Sequence, residues 1–274
     1  SAVQRASCVE DALQTFLSDY GFTGADEVNA QNKTAFLVAA SEGRVDVIQA
    51  LLDTSLSSSA LAARDNEHGT ALHGAAIAGH VEVVKLVLDS KRFTTSNDVD
   101  RIGATALHLA SLEGHSKIAE VLLSSSRFEA IDVQDRIGAT ALHLACSKGH
   151  LRIAKMLLAS KRFTALDVQD LHGKTALHVA AFFGQDKIAK ALLASSRFGA
   201  VDASENSGAT ALHLAAQNGH VKVVKRLFSS DRFTAAEART KEGHSAADYA
   251  MKMEQHKVLE LMSTRMKQFV KMEM

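Results

Sequence analysis

The sequence predicts an all-α repeat solenoid, in which helix-turn-helix repeats with short β-hairpin-like tips recur every 35 residues. The first observation is the string TALH, which occurs five times and begins at Thr70, Thr105, Thr140, Thr175 and Thr210. The second is that the flanking residues recur with it, so that GATALHLA stands at three of the five places. Self-similarity at a fixed period of this length is typical of stacked repeats that share a continuous core.

Each repeat contains the signals of a tight turn and two short helices. In one of them, Gly138 suits a turn with positive φ, and Thr140 is a favoured N-cap for a first helix. Gly149 ends that helix. Ile153 and Leu157 then mark the apolar face of a second helix. Because such a helix pair cannot bury its apolar faces alone, we expect neighbouring repeats to stack on one another.

The repeats set the domain boundaries that we predict. A single array covers residues 1–262, with a half repeat at about residues 8–28 and diverged copies around Thr34 and Ser245. The half repeat is inferred because Phe16 and Leu17 occupy the positions of the LL pairs that end the second helices. The seven full repeats are predicted to begin near residues 29, 65, 100, 135, 170, 205 and 240.

The C-terminal residues 263–274 are predicted to form a helical extension. Six of the seven methionines fall at or after Met251. An apolar stripe with helical spacing continues past the last repeat through Met262, Met266, Phe269 and Val270. We interpret this segment as a helix that caps the array, and the alternative is a second docking element, since methionine-rich helices adapt to partners.

Composition excludes several classes of function. Lys and Arg number 31 and Asp and Glu number 31, so the chain has no overall field that would attract nucleic acid or a membrane surface. The beginning of the sequence lacks a signal-peptide pattern, and no apolar run is long enough to insert into a membrane. The two cysteines, Cys8 and Cys146, do not form a disulfide framework. We therefore expect a reducing, cytoplasmic location, with the nucleus or an organelle left open.

The pattern DRIGATALHLA, followed by GH, two aliphatic positions and LL, resembles the ankyrin repeat over about residues 8–262. The usual TPLH of that family stands here as TALH, because the chain contains no proline. The period of 35 exceeds the 33 of the family, and the surplus falls in the loop after the second helix. The resemblance implies a protein-protein interaction scaffold or adaptor that binds its partner through the concave face formed by hairpin tips and first helices.

The candidate binding residues are those that vary at the hairpin tips and first helices while the rest of the repeat stays constant. They combine a central set of apolar side chains with flanking cations, a composition typical of binding hot spots. They are Arg101, Ile102, Leu112, Arg136, Ile137, Leu171, His172, Lys174, Phe182 and Phe183. The alternative for either phenylalanine is that it only packs between first helices.

Other repeated residues are interpreted as structural. The TALH histidines recur at whole repeats, a spacing that does not bring metal ligands together, so we expect them to form hydrogen bonds to backbone and predict no metal site. Phenylalanines such as Phe163 stand twelve residues before six of the seven repeat threonines and serines. We predict that they pack beneath the long loop. Cys146 is expected to be an inert buried thiol. Hairpin acids such as Asp170 are expected to pair with some of the loop arginines. We interpret the basic rows on the second helices as a solvated face with local ion pairs, and the alternative is that they bind an acidic partner or a phosphoinositide headgroup.

No motif for catalysis, a cofactor or a small-molecule substrate is present. We therefore expect a protein partner, and neither an enzyme nor a nucleic-acid-binding protein. Two alternatives stay open. The chain could be a structural subunit of a larger assembly, or a regulatory ankyrin region of a multidomain enzyme or channel.

Overall fold

The computed structural model describes the backbone of residues 2–54 and 56–273 and the side chains of residues 10–54 and 56–264. Cys8 and the side chains of Met266, Phe269 and Val270, for which the sequence made predictions, lie outside the described side chains. The chain divides into two compact units, unit 1 (Ser1–Arg136) and unit 2 (Ile137–Met274).

Unit 1 contains eight helices in its described residues, arranged as two layers. The second helices of successive repeats pack together in one layer, together with α1, and the first helices α2, α5 and α7 pack in the other. The helices are α1 (Ala2–Asp19), α2 (Ala35–Ser41), α3 (Val45–Asp53), α4 (Ser58–Leu61), α5 (Ala71–Ala78), α6 (Val81–Asp89), α7 (Ala106–Glu113) and α8 (Ser116–Ser124).

Unit 2 repeats this arrangement with eight further helices in its described part and a short 3₁₀ turn at Ala235–Glu237. The first helices are α9 (Ala141–Lys148), α11 (Ala176–Phe182), α13 (Ala211–Gln217) and α15 (Ala246–Lys252). The second helices are α10 (Leu151–Ala159), α12 (Asp186–Ala194), α14 (Val221–Phe228) and α16 (His256–Glu273). Each helix packs on its counterpart in the next repeat. The predicted all-α repeat solenoid is confirmed.

The TALH motif caps the N-terminus of five of the first helices, which are α5, α7, α9, α11 and α13. In unit 2, the Thr175 N–H donates to Nδ1 of His178 at 3.2 Å, and the Nε2 of His178 lies 3.2 Å from the Ala209 carbonyl oxygen of the next repeat. Because Nδ1 accepts, the proton must sit on Nε2, which donates across the repeat boundary. Burial lowers the pKa of His178 to about 4, so the ring is neutral at pH 7. The predicted backbone role of these histidines is confirmed.

The glycine that ends a first helix serves two purposes. Gly79 follows α5 with φ of 86°, a left-handed conformation that only glycine adopts without strain. A Cβ atom there would also lie 2.7 Å from the ring of His115 in the next repeat. That ring occupies the space because its Nε2 bonds to the Ile77 carbonyl at 2.9 Å. The GH histidine therefore caps the C-terminus of the preceding first helix.

The long loop is fixed by buried phenylalanines and by arginines that bind backbone. Phe163 is fully buried beneath the loop, as predicted for the phenylalanines at this position. The guanidinium of Arg197 donates to the carbonyl oxygens of Leu158, Ser160 and Phe163 at 2.7 to 2.8 Å. The C-terminal carbonyls of α10 are thereby satisfied by the next repeat. Further arginines bind the preceding repeat in the same way, namely Arg92, Arg127 and Arg232.

The prediction that hairpin acids pair with these loop arginines is therefore wrong for those four arginines. Asp170 instead accepts the N–H groups of His172 and Lys174 at 2.8 Å, which closes its own hairpin turn. An acid within the loop, Asp167, accepts the N–H groups of Gly199 and Ala200 in the next repeat. The charges satisfy backbone groups, because a carboxylate accepts strongly from N–H and a guanidinium donates strongly to C=O.

Cys146 occupies a small-residue position in α9 and is fully buried. Burial in an apolar environment raises the pKa of its thiol, so the reactive thiolate is suppressed. The prediction of an inert structural thiol is confirmed.

Candidate protein-binding surface

In each unit, the hairpin tips and the exposed C-terminal residues of the first helices form a surface, which we call the tip surface of that unit. Backbone hydrogen bonds connect neighbouring tips. In unit 2 the Leu171 N–H donates to the Ile137 carbonyl at 3.0 Å, and the Asn206 N–H donates to the His172 carbonyl at 3.0 Å. Their spacing is thus set by the backbone, so the side chains are free to vary without weakening the stack.

The first two repeats of unit 2 expose four large apolar side chains on the tip surface. Leu171 is 68% exposed and Ile137 is 56% exposed, on consecutive tips. Phe183 and Phe182, at the end of α11, are 51% and 37% exposed. Their ring centroids are 5.1 Å apart in an edge-to-face arrangement. Since both rings face solvent, the alternative that either one only packs between first helices is not supported.

A lysine borders the pair of phenylalanines. The Lys174 Nζ atom lies 5.3 Å from the ring centroid of Phe182, within the range of a cation–π contact. Lys174 is half-buried, and His172 is exposed in the same hairpin tip. All six predicted site residues of unit 2 lie at hairpin tips or at the end of α11, namely Ile137, Leu171, His172, Lys174, Phe182 and Phe183.

The predicted residues of unit 1 are arranged differently. Ile102 is 57% exposed, and its carbonyl accepts the N–H of Arg136 at 2.9 Å from the next tip. Arg101 lies 3.7 Å from the Glu67 carboxylate. Leu112 was predicted to be exposed but is only partly so. Ile77, at the C-terminal end of α5, is 49% exposed as well. The charge of Arg101 is partly neutralised by Glu67.

A pocket of about 350 Å³ opens on the tip surface of the last repeat of unit 2. Sequence reasoning did not predict it, because α15 departs from the TALH pattern and the pocket also needs Gln217 of the preceding repeat. The lining residues are Gln217, Glu242, His244, Asp248, Tyr249, Lys252 and Met253. Its wall is mixed in charge, with the Glu242 carboxylate 3.4 Å from His244 Nδ1.

The described part of the chain shows no arrangement typical of a metal centre. Among side chains 10–54 and 56–264, no group of three or more His, Cys, Asp or Glu residues is placed to hold an ion. Over the same described residues, no helix is both long and apolar enough to cross a bilayer.

Comparison with known proteins identifies the repeat. The family described as Ankyrin repeats (3 copies) matches residues 2–98, 54–135, 128–202 and 195–270. The crystal structure of the human ASB11 ankyrin repeat domain is similar, with a TM-score of 0.68 and 27% identity, over 84% of this chain and 98% of that one.

Two curated relatives match over shorter segments. Inversin of Danio rerio is 36% identical over 89 residues, and inversin of Gallus gallus is 41% identical over 64 residues. These segments cover 32% and 23% of this chain but only 8% and 6% of the two inversins. Ankyrin repeats are generally protein-protein interaction modules. With the family matching nearly the whole length, the chain belongs to the ankyrin-repeat family.

Proposed function

We propose that this chain is a non-catalytic scaffold or adaptor that binds a partner protein through the tip surface of unit 2. The observation that supports this most strongly is the group of four exposed apolar side chains, Ile137, Leu171, Phe182 and Phe183, beside Lys174. Apolar groups of this kind on a stable surface are typical of protein-binding sites. The family resemblance supports the proposal, because it implies binding through a concave face formed by hairpin tips and first helices.

The physical basis of binding is desolvation of these side chains. A partner that covers Leu171 and the two phenylalanine rings removes apolar surface from water, and aromatic residues are enriched among hot spots for this reason. The rings lose little conformational entropy, because each holds the other in an edge-to-face contact. Lys174 adds a charge at the edge of the group, where it favours a partner with a nearby carboxylate.

A location in a reducing compartment is part of the proposal, since Cys146 is a free thiol buried in α9. The same surface would serve a structural subunit of an assembly or a regulatory ankyrin region of a larger protein. The three roles share one binding chemistry, so one experiment addresses the surface in all of them.

The test is affinity capture with the full chain, followed by measurement of Kd with the purified partner that is retained. The double variant Ile137→Ser with Phe182→Ser is expected to weaken binding by about thirtyfold or more, since loss of a hot spot costs about 2 kcal/mol. Its urea unfolding midpoint is expected to stay near that of the parent, because both side chains are exposed.

A matched control is Lys187→Glu with Lys222→Glu, which alters exposed residues of α12 and α14. This variant is expected to bind the partner as the parent does. Lost binding in the lysine variant with normal binding in the serine variant would overturn the proposal. A serine variant that unfolds far more easily than the parent would exclude Ile137 or Phe182 from the binding surface.

A further inference from the structure

The second helices of unit 2 present two rows of cations. Arg152, Lys187, Lys222 and Lys257 stand at intervals of 35 residues in the first row, and Lys155, Lys190 and Lys225 stand three residues later in the second. Residues three apart on a helix share one face. Because α10, α12, α14 and α16 pack side by side, equivalent positions in successive repeats face the same way. All seven side chains are exposed, so the rows form one surface, which we call the basic face.

The lysines of the basic face have no acidic partner among the described side chains. No carboxylate of a described residue lies within 4.0 Å of the ammonium group of any of the six lysines. Helices α10, α12 and α14 together carry seven cationic side chains and a single carboxylate, that of Asp186. That carboxylate lies 3.6 Å from Arg226, which is outside the two rows. Unpaired like charges repel one another, so an anionic partner would be favoured there.

Unit 1 supplies an internal comparison at equivalent positions. Its second helices α3, α6 and α8 carry five carboxylates and two lysines. Asp46 bonds to Arg44 at 2.9 Å, and Glu82 bonds to Lys85 at 2.7 Å. The solenoid therefore does not require lysine at these positions. The basic face is a property of unit 2 alone, and the zero net charge of the whole chain conceals it.

We propose that the basic face of unit 2 docks electrostatically on a membrane surface that contains anionic phospholipids. Six of its seven row residues are lysines, which are compact, strongly hydrated point charges. Such residues suit a diffuse layer of anionic headgroups, where each contributes independently to attraction. The docking is peripheral and leaves the tip surface of unit 2 available to a protein partner.

The composition of the face disfavours the other anionic partners. Protein interfaces are depleted in lysine and contain apolar anchors, whereas α10, α12 and α14, described in full, have no exposed large hydrophobic side chain. Single-stranded nucleic acid is bound through exposed aromatic rings, and these three helices have none. Base recognition in a duplex relies on arginine forks, but Arg152 is the only arginine in the two rows.

The test is co-sedimentation of the full chain with phosphatidylcholine vesicles, with and without 30% phosphatidylserine. Binding is expected only with phosphatidylserine at about 0.1 M salt, and it should disappear at about 1 M salt, where the Debye length falls to about 3 Å. The variant Lys190→Gln with Lys222→Gln, one lysine from each row, is expected to lower the partition coefficient about thirtyfold.

The matched control is Lys85→Gln with Lys117→Gln, which removes the lysines at equivalent positions of unit 1 and should leave vesicle binding unchanged. Equal losses in both variants would overturn the proposal, as would equal binding to neutral vesicles or no binding to anionic ones. Tight binding to duplex RNA or polyglutamate without vesicle association would assign the face to one of those partners instead. Capture of the protein partner is expected to be normal in both variants.

Discussion

Phe163 and Phe183 lie in the same unit and have opposite surroundings. Phe163 is fully buried beneath the long loop, and its carbonyl accepts from Arg197 of the next repeat. Phe183 stands half exposed on the tip surface beside Phe182. The first is one of a series that recurs at six of the seven repeats, and the second belongs to one repeat only. In the loops, recurrence marks residues that join the repeats, and on the tip surface, variation marks the residues that we propose for partner binding.

The residues that join the repeats bind backbone atoms. The side chains at the hairpin tips can therefore vary. Arg197 binds three carbonyl oxygens, Asp167 binds two N–H groups, and His178 bonds to the Ala209 carbonyl. Backbone atoms are the same in every repeat whatever the side chains are. A change at a tip residue such as Leu171 therefore leaves these bonds intact.

The largest expected difference separates the two phenylalanines. Phe163→Ala should lower the free energy of unfolding by about 3 to 5 kcal/mol, because it leaves a cavity in a packed region. Phe183→Ala should lower it by less than about 1 kcal/mol, since half of its side chain already faces water. Urea titrations of the two variants measure this directly. Similar losses in both would mean that Phe183 is part of the core.

The buried histidines make the contacts between repeats sensitive to acid. Burial lowers the pKa of His73, His178 and His213, and that of His178 falls to about 4, below the value near 6.5 in an unfolded chain. The unfolded state therefore binds protons first as the pH falls, so stability is complete above about pH 6.5 and declines between pH 6.5 and 4. His178 alone should account for about 3 kcal/mol of this decline.

Urea midpoints measured from pH 7.5 down to pH 4.5 would test this pH dependence. His178→Gln should make it shallower, whereas His172→Gln, on an exposed tip, should leave it unchanged. A midpoint that stays constant over this range would show that the histidines are not held neutral by burial.

A smaller effect is expected at the loop arginines. Arg197→Met removes charge-assisted hydrogen bonds to three carbonyls and should lower the free energy of unfolding by about 2 kcal/mol. Lys187→Met, on an exposed face without an acidic partner, should change it by less than about 0.5 kcal/mol. Thermal unfolding followed by circular dichroism can compare the two. Equal effects would mean that the arginine contributes only surface charge.

Much of the fold could be predicted, because the determinants of a repeat are local and occur many times. Thr140, Gly149 and Phe163 act within one or two helices, and each has equivalents in other repeats. The role of Arg197 could not be predicted, since its partners are carbonyl oxygens of another repeat and leave no trace in side-chain identity. Side-chain exposure was predictable only in part. Leu112 was predicted to be exposed and is half-buried. The exposure of such a residue depends on side chains of adjacent helices, which its own repeat does not specify.

The most direct test of the division between joining and binding residues is amide hydrogen exchange of the chain with and without its captured partner. The account predicts slower exchange on binding at the tip surface of unit 2, in residues 170–174 and at Phe182 and Phe183. Exchange in α12 should not change. Protection confined to α10, α12 and α14, with the tips unaffected, would contradict the account and place the partner on the second helices.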